Sequence, residues 1–472
     1  MMEILGYVIA GAPFLVAGAT LLGFRWPPVY SGLAGLTVAL AGALLWPGLH
    51  AAGLAGAMVE GLGTIGRVLY VLVGGLLLYN VLSEGGAIES VSRFLTRMEP
   101  DRGALALLVV LGAAPFFESI TGFGVAVVIS APILLSAGFT PVKAATLASW
   151  GQLAVPWGAL GVGTLIGANL AGFNFQQLSD ASAWLSLPLF PVYGIATLGL
   201  SAGRTALRRR GFEAVYVGLA MGLGVLVSSL YLVPELAGAI GGLVAVGAFL
   251  IRWVGRLRGM ELPVRALAPY GFLLALLVGV NSAGTVRAAL ESFGPVFAGP
   301  GPWLLLSALF AVFFLGLDGK AAVSAARQTV EQWLPVAGAI VTFILAGQVV
   351  SASGAAELLA VGAAGALGAA YPAASPLVGA LGGAMTGSNA GSNALFMPFQ
   401  AEAAATSDSS RLVLAALQNV AGSQSNLLAP QRVVLAATAT GILGREAQIV
   451  RAVAPPVAVS LVILIFAGAV YG

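Results

Sequence analysis

The sequence predicts an all-α polytopic membrane protein, and three observations carry that prediction. Of 472 residues, 59% are hydrophobic and only 8% are charged, against roughly a quarter charged in an ordinary soluble protein. Mean hydropathy is +0.99. Apolar runs of about 20 residues recur along the chain, the length that crosses a hydrocarbon core as a helix, whereas a barrel would show short alternating strands. So few charges cannot solvate a globular surface, and the apolar side chains must face something other than water. Soluble enzymes, nucleic-acid binders and disordered tails are excluded together. The 65 glycines follow no three-residue period, which excludes a collagen-like chain.

The spans follow in order. Runs long enough to cross a bilayer lie at 4–23, 28–46, 65–82, 183–200, 212–231, 235–253, 265–283, 302–317, 334–350 and 449–471. Two regions, 103–170 and 371–441, are apolar but broken. Counting each as two or more passes gives about 12–14 transmembrane helices. The polar stretches 84–102 and 319–333 read as amphipathic helices lying at the interface. Met1-Met2-Glu3 lacks the basic start of a cleaved signal peptide.

Basic residues set the orientation. Arg93, Arg97 and Arg102 precede the first broken region; Arg204, Arg208, Arg209 and Arg210 form a second cluster, and Arg252, Arg256, Arg258 and Arg265 a third. Two spans separate the later clusters, so both share a side, the cytoplasmic one by the excess of positive charge. Counting onward, Pro295, Pro300 and Pro302 fall in an external loop, while Lys320 and Arg327 return inside. The N-terminus comes out external, with Arg25 inside. For a bacterial plasma (inner) membrane this places the N-terminus on the periplasmic or extracellular side.

Chemistry is scarce. There is no cysteine and a single histidine, His50, in a loop after Trp46-Pro47-Gly48, so no thiolate, disulfide or metal cluster is available and no cofactor is expected. The two broken regions hold what remains. The first reads Pro115-Phe116-Phe117-Glu118-Ser119-Ile120-Thr121-Gly122-Phe123-Gly124 and the second Thr386-Gly387-Ser388-Asn389-Ala390-Gly391-Ser392-Asn393. Each polar, Gly-rich tip is followed by a helical run of about a dozen residues, too short to span alone, which marks a helical hairpin or interrupted helix. Laid over one another, the copies place Gly124 against Ser392 and Lys143 against Arg411. Each continues into a second broken helix, through Trp150-Gly151-Gln152 to Pro156-Trp157-Gly158 in one, and through Gln418-Asn419 and Gln424 to Pro430-Gln431-Arg432 in the other. This is the pattern of an internal duplication, often inverted in secondary transporters. The expected division is a first repeat over 1–211, a connecting span over 212–233 and a second repeat over 234–472.

One tip rich in Gly and Ser is also what ordinary helix packing produces. Two matching tips carrying Asn389, Asn393, Gln418, Asn419, Gln424 and Asn426 point instead to a polar cavity at mid-membrane, because amides in lipid are costly unless buried in protein or wetted. Interrupted helices leave free N–H groups at the start of the second half, where the dipole is positive. Gly122–Gly124 and Ser388–Ser392 therefore form a cradle for a small carboxylate. Sulfate or phosphate satisfies the same logic. Glu118, the acid inside the first tip, is the candidate proton carrier. Arg432, the base inside the second break, can pair with substrate or with Glu118, or extend to the interface. The candidate substrate-binding set is Ser119, Thr121, Gly122, Gly124, Ser388, Asn389, Ser392, Asn393, Gln418, Asn419, Gln424 and Arg432. Arg67, Glu60, Glu84, Asp318 and Lys320 read as interfacial or helix-end residues.

Phe117-Glu118 with Gly122-Phe123-Gly124, Trp157-Gly158-Ala159-Leu160-Gly161, Ser353-Gly354, Gly387-Ser388-Asn389 with Ser392-Asn393-Ala394-Leu395-Phe396, and Ala429-Pro430-Gln431 resemble the lactate permease family of bacterial monocarboxylate transporters, in order and spacing. The resemblance covers most of the chain and is strongest in the broken regions. It implies inward transport of L-lactate, D-lactate or glycolate with a proton, with Glu118 where that family has an acid beside its Gly-rich tip. The chain departs from the family at Asn426, where a lysine is common, and at Arg432, where a small polar residue is usual. From the residues alone, a sodium-coupled or exchange transporter for another small organic anion stays open; an enzyme lacks candidate chemistry, and a channel lacks repeated pore-lining acids. The expected partners are a small carboxylate, a proton and the lipid bilayer, with no nucleic acid; a homodimer is one assembly open to such a chain.

Overall fold

The computed structural model describes residues 2–46, 53–98, 101–122, 124–251, 261–294, 297 and 299–472. His50, Phe123, Pro295, Arg252, Arg256 and Arg258 lie outside these residues. Among the described residues all regular structure is helical, and ten helices are long and apolar enough to cross a membrane.

The chain opens with α1 (Met2–Gly18), which ends in a π turn over Ala19–Gly23, then α2 (Pro28–Leu45) and α3 (Leu54–Glu84). Pro28 sits in the first turn of α2, where its fixed φ suits a helix start and its missing N–H costs nothing. The amphipathic α4 (Ala87–Met98) follows, as expected of the 84–102 stretch. Next come α5 (Arg102–Leu108), a π turn over Val109–Ala113, and α6 (Ala114–Thr121). That π turn has a local cause. Pro115 cannot donate to Leu111, and the ladder widens so that Ala114 N–H reaches Val109 instead. Then follow α7 (Val125–Ser136), α8 (Pro141–Trp150), α9 (Val162–Ala171) and α10 (Phe175–Ser186).

Helix α11 (Leu189–Tyr231) reverses at Gly203, whose φ of 80° only glycine adopts freely. Gly194 lies against Ala214, and Gly218 against Pro191. The two expected spans at 183–200 and 212–231 are thus an antiparallel pair. Beyond α12 (Ala237–Ile251) lie α13 (Val264–Ser282), α14 (Gly284–Phe293) and α15 (Gly301–Leu315). The next element corrects the sequence reading. Residues 319–333 are not a separate interfacial helix: they run without a break into the span at 334–350 as α16 (Gly319–Ala352), capped by Asp318, whose carboxylate accepts from Ala321 N–H at 2.8 Å. Asn80 of α3 donates to Thr329 at 3.0 Å and to Gln332 at 3.2 Å, so the polar face of this stretch is partly turned inward. The chain closes with α17 (Ala355–Leu367), α18 (Tyr371–Thr386), α19 (Asn389–Thr406), α20 (Arg411–Ser425), α21 (Pro430–Ala439) and α22 (Glu446–Tyr471).

Both broken regions form re-entrant hairpins. In the first, α5 and α6 run inward from Arg102 and α7 returns to Gly138, which packs on the Arg102 guanidinium, so the hairpin enters and leaves at one end. In the second, α18 runs inward and α19 returns, with the Tyr371 hydroxyl donating to Gln400 at 2.7 Å and Gln400 donating to the Ser375 carbonyl at 2.9 Å. Helices α8 and α20 lie beside their hairpins, and each is interrupted before α9 or α21 resumes. Helix α21 packs on α7 and α8, while α9 packs on α19 and α20. The interrupted elements of each half therefore cross over onto the other.

Several of the described basic residues gather at one end. Arg210 binds Asp101 at 2.8 Å, beside Arg102. Arg93 and Arg97 face Leu262 and Pro263 across a groove. Glu84 accepts from Ser324 at 2.9 Å and from Gln328, near Lys320 and Arg327.

Close crossings rest on glycine. A Cβ at Gly347 of α16 would overlap the carbonyl oxygen of Ala394 in α19, whereas one at Gly66 of α3 meets nothing within 4 Å. Gly347→Val is expected to destabilise the protein by about 1–3 kcal/mol through forced separation of the helices. Gly66→Ala is expected to change stability by no more than about 0.5 kcal/mol. Thermal melting of the two variants in one detergent checks the pair.

Candidate functional site

Helix α6 ends at Gly122, where φ is 72° and a Cβ would meet Ala159 Cβ at 2.7 Å. An end buried in a membrane needs partners for its last carbonyls. The second break of the same region supplies them: Ala159 N–H donates to the Glu118 carbonyl at 3.2 Å and Leu160 N–H to the Ser119 carbonyl at 2.7 Å. Ala159 and Leu160 hold left-handed φ angles of 49° and 54° to do so, a strained conformation for residues other than glycine. The start of α7 presents its free N–H groups inward, and the chain's own acid takes them. Glu118 accepts from Gly124 N–H at 3.2 Å and from Ala126 N–H at 3.3 Å.

The second tip is built differently. Gly387 ends α18 with φ at 59°, and the first turn of α21 grips it. Gln431 donates to the Thr386 carbonyl, and Arg432 Nε donates to the Gly387 carbonyl at 2.8 Å. A cation at a helix C-terminus is electrostatically favoured. Ser388 caps α19 by accepting from Gly391 N–H at 3.4 Å. No carboxylate of the chain lies on this N-terminus among the described residues, in contrast to the first tip.

Arg432 joins the two tips. Its Nη1 donates to Gln152 Oε1 at 2.6 Å and stands 3.5 Å from Glu118 Oε1. The guanidinium side chain is 11% exposed and the Glu118 side chain 2%, so this is a buried ion pair and the arginine does not reach for the interface. A narrow cleft of about 30 Å³ opens here, room for a water or two, lined by Glu118, Gly122, Gly163, Ser388, Asn389 and Arg432 among others. On the other side of Ser388 and Arg432 lies a mostly apolar chamber of about 360 Å³, walled by Pro28, Ile340, Phe343 and Leu435. The pair forms the wall between two cavities.

The family model for L-lactate permease matches residues 6–257 and 271–471. The chain belongs to the L-lactate permease family. The L-lactate permease of Escherichia coli K12 is 24% identical, with the match covering 95% of this chain and 89% of that one. The glycolate permease GlcA of the same strain is also 24% identical, over 81% of this chain and 80% of the relative. The L-lactate permease of Streptococcus iniae is 30% identical over a shorter match, 41% of each chain. Among solved structures, MtrF of Neisseria gonorrhoeae, described with a class of antimetabolite efflux pumps, aligns over 97% of this chain at 15% identity with a TM-score of 0.44. The named relatives are permeases, in keeping with a multi-pass membrane transporter and not an enzyme.

Within this family member, the cleft brings together Glu118, Gly122, Ser388, Asn389 and Arg432 from the sequence-predicted set. Gly124 lies at its edge, where a Cβ would stand 3.1 Å from Arg432 Nη1. The other members lie behind that wall. Thr121 donates to the Phe117 carbonyl at 2.7 Å, and Ser119 packs on Gly238 of α12. Ser392 accepts from Gln418 at 3.1 Å, and Gln418 in turn accepts from Gln400 at 3.2 Å, in a chain between α18, α19 and α20. Asn393 and Asn419 form a second amide chain described below, and Gln424 donates to the Leu153 carbonyl at 3.3 Å. Sequence reasoning gave no role to Gln152 or Gln431, which hold Arg432 and the second tip. Their position inside the two breaks was the available signal.

Arg432→Gln leaves a buried carboxylate without its cation and is expected to destabilise the protein by about 3–5 kcal/mol. Glu118→Gln/Arg432→Gln removes both charges and is expected to recover most of that loss. A double-mutant cycle of melting temperatures checks the coupling.

Proposed function

We propose that this protein imports small 2-hydroxy monocarboxylates, lactate and glycolate, by proton symport with alternating access. The observation that supports the reading most directly is the buried Glu118–Arg432 pair in a cleft where two re-entrant tips meet. The relatives' names supply the substrate class.

The two tips divide the work. At the first, the positive N-terminus of α7 is filled by Glu118. At the second, Asn389 and Ala390 at the start of α19 line the cleft, and Arg432 stands alongside. Guanidinium has five donors, and three contacts leave capacity for a substrate carboxylate. That carboxylate sits against Arg432 and the start of α19.

Proton coupling follows from charge. Empty, the cleft holds one acid and one base, and their charges cancel. An incoming anion adds a negative charge to a low-dielectric site, which is costly unless something cancels it. A proton on Glu118 does so, and at the same time releases Arg432 to the substrate. Loaded and empty clefts then carry the same net charge, and one anion moves with one proton.

The matching hairpin, helix and break of each region support two inverted repeats, 1–211 and 234–472, joined by 212–233. Movement of the tips against the remaining helices opens the cleft to either side in turn. The gathering of basic residues at one end supports a cytoplasmic assignment for that end, a bacterial plasma membrane location and an external N-terminus.

In proteoliposomes, Glu118→Gln is expected to retain exchange of labelled lactate across the membrane while losing accumulation driven by an imposed pH gradient. Uphill uptake equal to wild type would remove Glu118 from coupling. Replacing sodium by choline at fixed pH is expected to leave wild-type uptake unchanged; loss of uptake would favour sodium coupling.

A further inference from the structure

Asn389 is 4% exposed, it lines the cleft together with Arg432, and its carboxamide oxygen has no hydrogen-bond partner. A buried acceptor without a donor is costly. Which atom of this carboxamide is left without a partner must be argued from its neighbours, and here they fix it.

The argument starts at a backbone carbonyl, which can only accept. Asn393 Nδ2 donates to the Gly163 carbonyl at 2.9 Å, and the same nitrogen donates to Asn419 Oδ1 at 2.8 Å. That fixes Asn419, whose own Nδ2 donates to Ser182 at 2.8 Å and to Thr164 at 3.0 Å. The Thr164 hydroxyl is in turn committed as a donor to the Pro156 carbonyl at 2.5 Å. With Asn419 Oδ1 facing α19, Asn389 must present Nδ2 to it, and does so at 2.8 Å. Turning Asn389 over would set two amide oxygens against one another. Its Oδ1 is therefore the atom left without a donor, on a residue that lines the cleft beside Gly163.

We propose that Asn389 Oδ1 accepts the hydrogen bond of the substrate's 2-hydroxyl, and so selects 2-hydroxy acids over acids with no 2-substituent or with a 2-keto group. This deepens the reading above and rests on it. A carboxylate on Arg432 places the neighbouring carbon, with its hydroxyl, on the same wall of the cleft. The hydroxyl donates to Asn389; a methylene leaves the acceptor bare, and a keto oxygen opposes it. A site built to bond a hydroxyl rejects analogues lacking it far more strongly than an apolar pocket rejects a change of size. A bound sodium ion is the less suitable occupant of this oxygen, because it would face the Arg432 cation.

Competition against labelled lactate in proteoliposomes tests the assignment, using propionate and pyruvate. For the wild type, propionate is expected to compete at least about tenfold more weakly than lactate, and pyruvate more weakly still. In Asn389→Leu, lactate is expected to fall to the level of propionate while propionate changes little. An unchanged lactate-to-propionate ratio in that variant overturns the assignment and leaves the transport reading standing. If Asn389→Leu does not fold, the wild-type series decides: pyruvate competing as well as lactate would mean a donor faces the cleft, and overturns it. Absence of lactate uptake by the wild type overturns the transport reading, and this assignment with it.

Discussion

Arg432 is the point on which the site depends. One guanidinium holds the carbonyl that ends α18, the amide of Gln152 in the first break and the carboxylate of the first tip. These three belong to three different segments, all brought to one side chain. Interrupted helices expose backbone ends inside the bilayer, and each such end must find a partner within the protein. The cation serves one of those ends and neutralises the acid that serves another. Breaks, tips and charge pair are thus solutions to one problem, and none stands without the others.

The two tips resemble each other in sequence and differ in how they are completed. In the first, a helix N-terminus is closed by Glu118 of the chain itself; in the second, it is capped by the Ser388 hydroxyl and otherwise faces the cleft. The two tips are similar frames in sequence, and a single acid makes them unequal. The amides behind them are neutral struts. Gln418 and Gln400 bind α18 to α19 and α20, and Asn419 binds α19 and α20 to α9 and α10.

Much of this was legible in the residues. Glu118 and Arg432 stood out because charge inside an apolar run is rare and costly, and the broken regions because their helical runs read as about a dozen residues, which holds for α7 at 12 residues but not for α19 at 18. Hydropathy traced most spans well. It started α3 at residue 65 instead of Leu54, because Glu60 and Arg67 lower hydropathy without breaking a helix. It read 319–333 as interfacial because Lys320, Arg327 and Glu331 mark a wet face, while burial of Ala325 and Thr329 on the other face depends on α3. Which amides face the cleft was not legible at all. Asn419 meets Thr164 across 255 residues of sequence, and only the folded chain brings those neighbours together.

The chain of amides from the Gly163 carbonyl to Asn389 contains no group that ionises in the physiological range. On the proposed reading the coupling proton is carried by Glu118, on a separate helix, α6. On that reading, the amide that selects the 2-hydroxyl and the acid that carries the proton sit on different helices, α19 and α6. On the same reading, a substitution in the amide chain alters the cargo and leaves the driving ion unchanged.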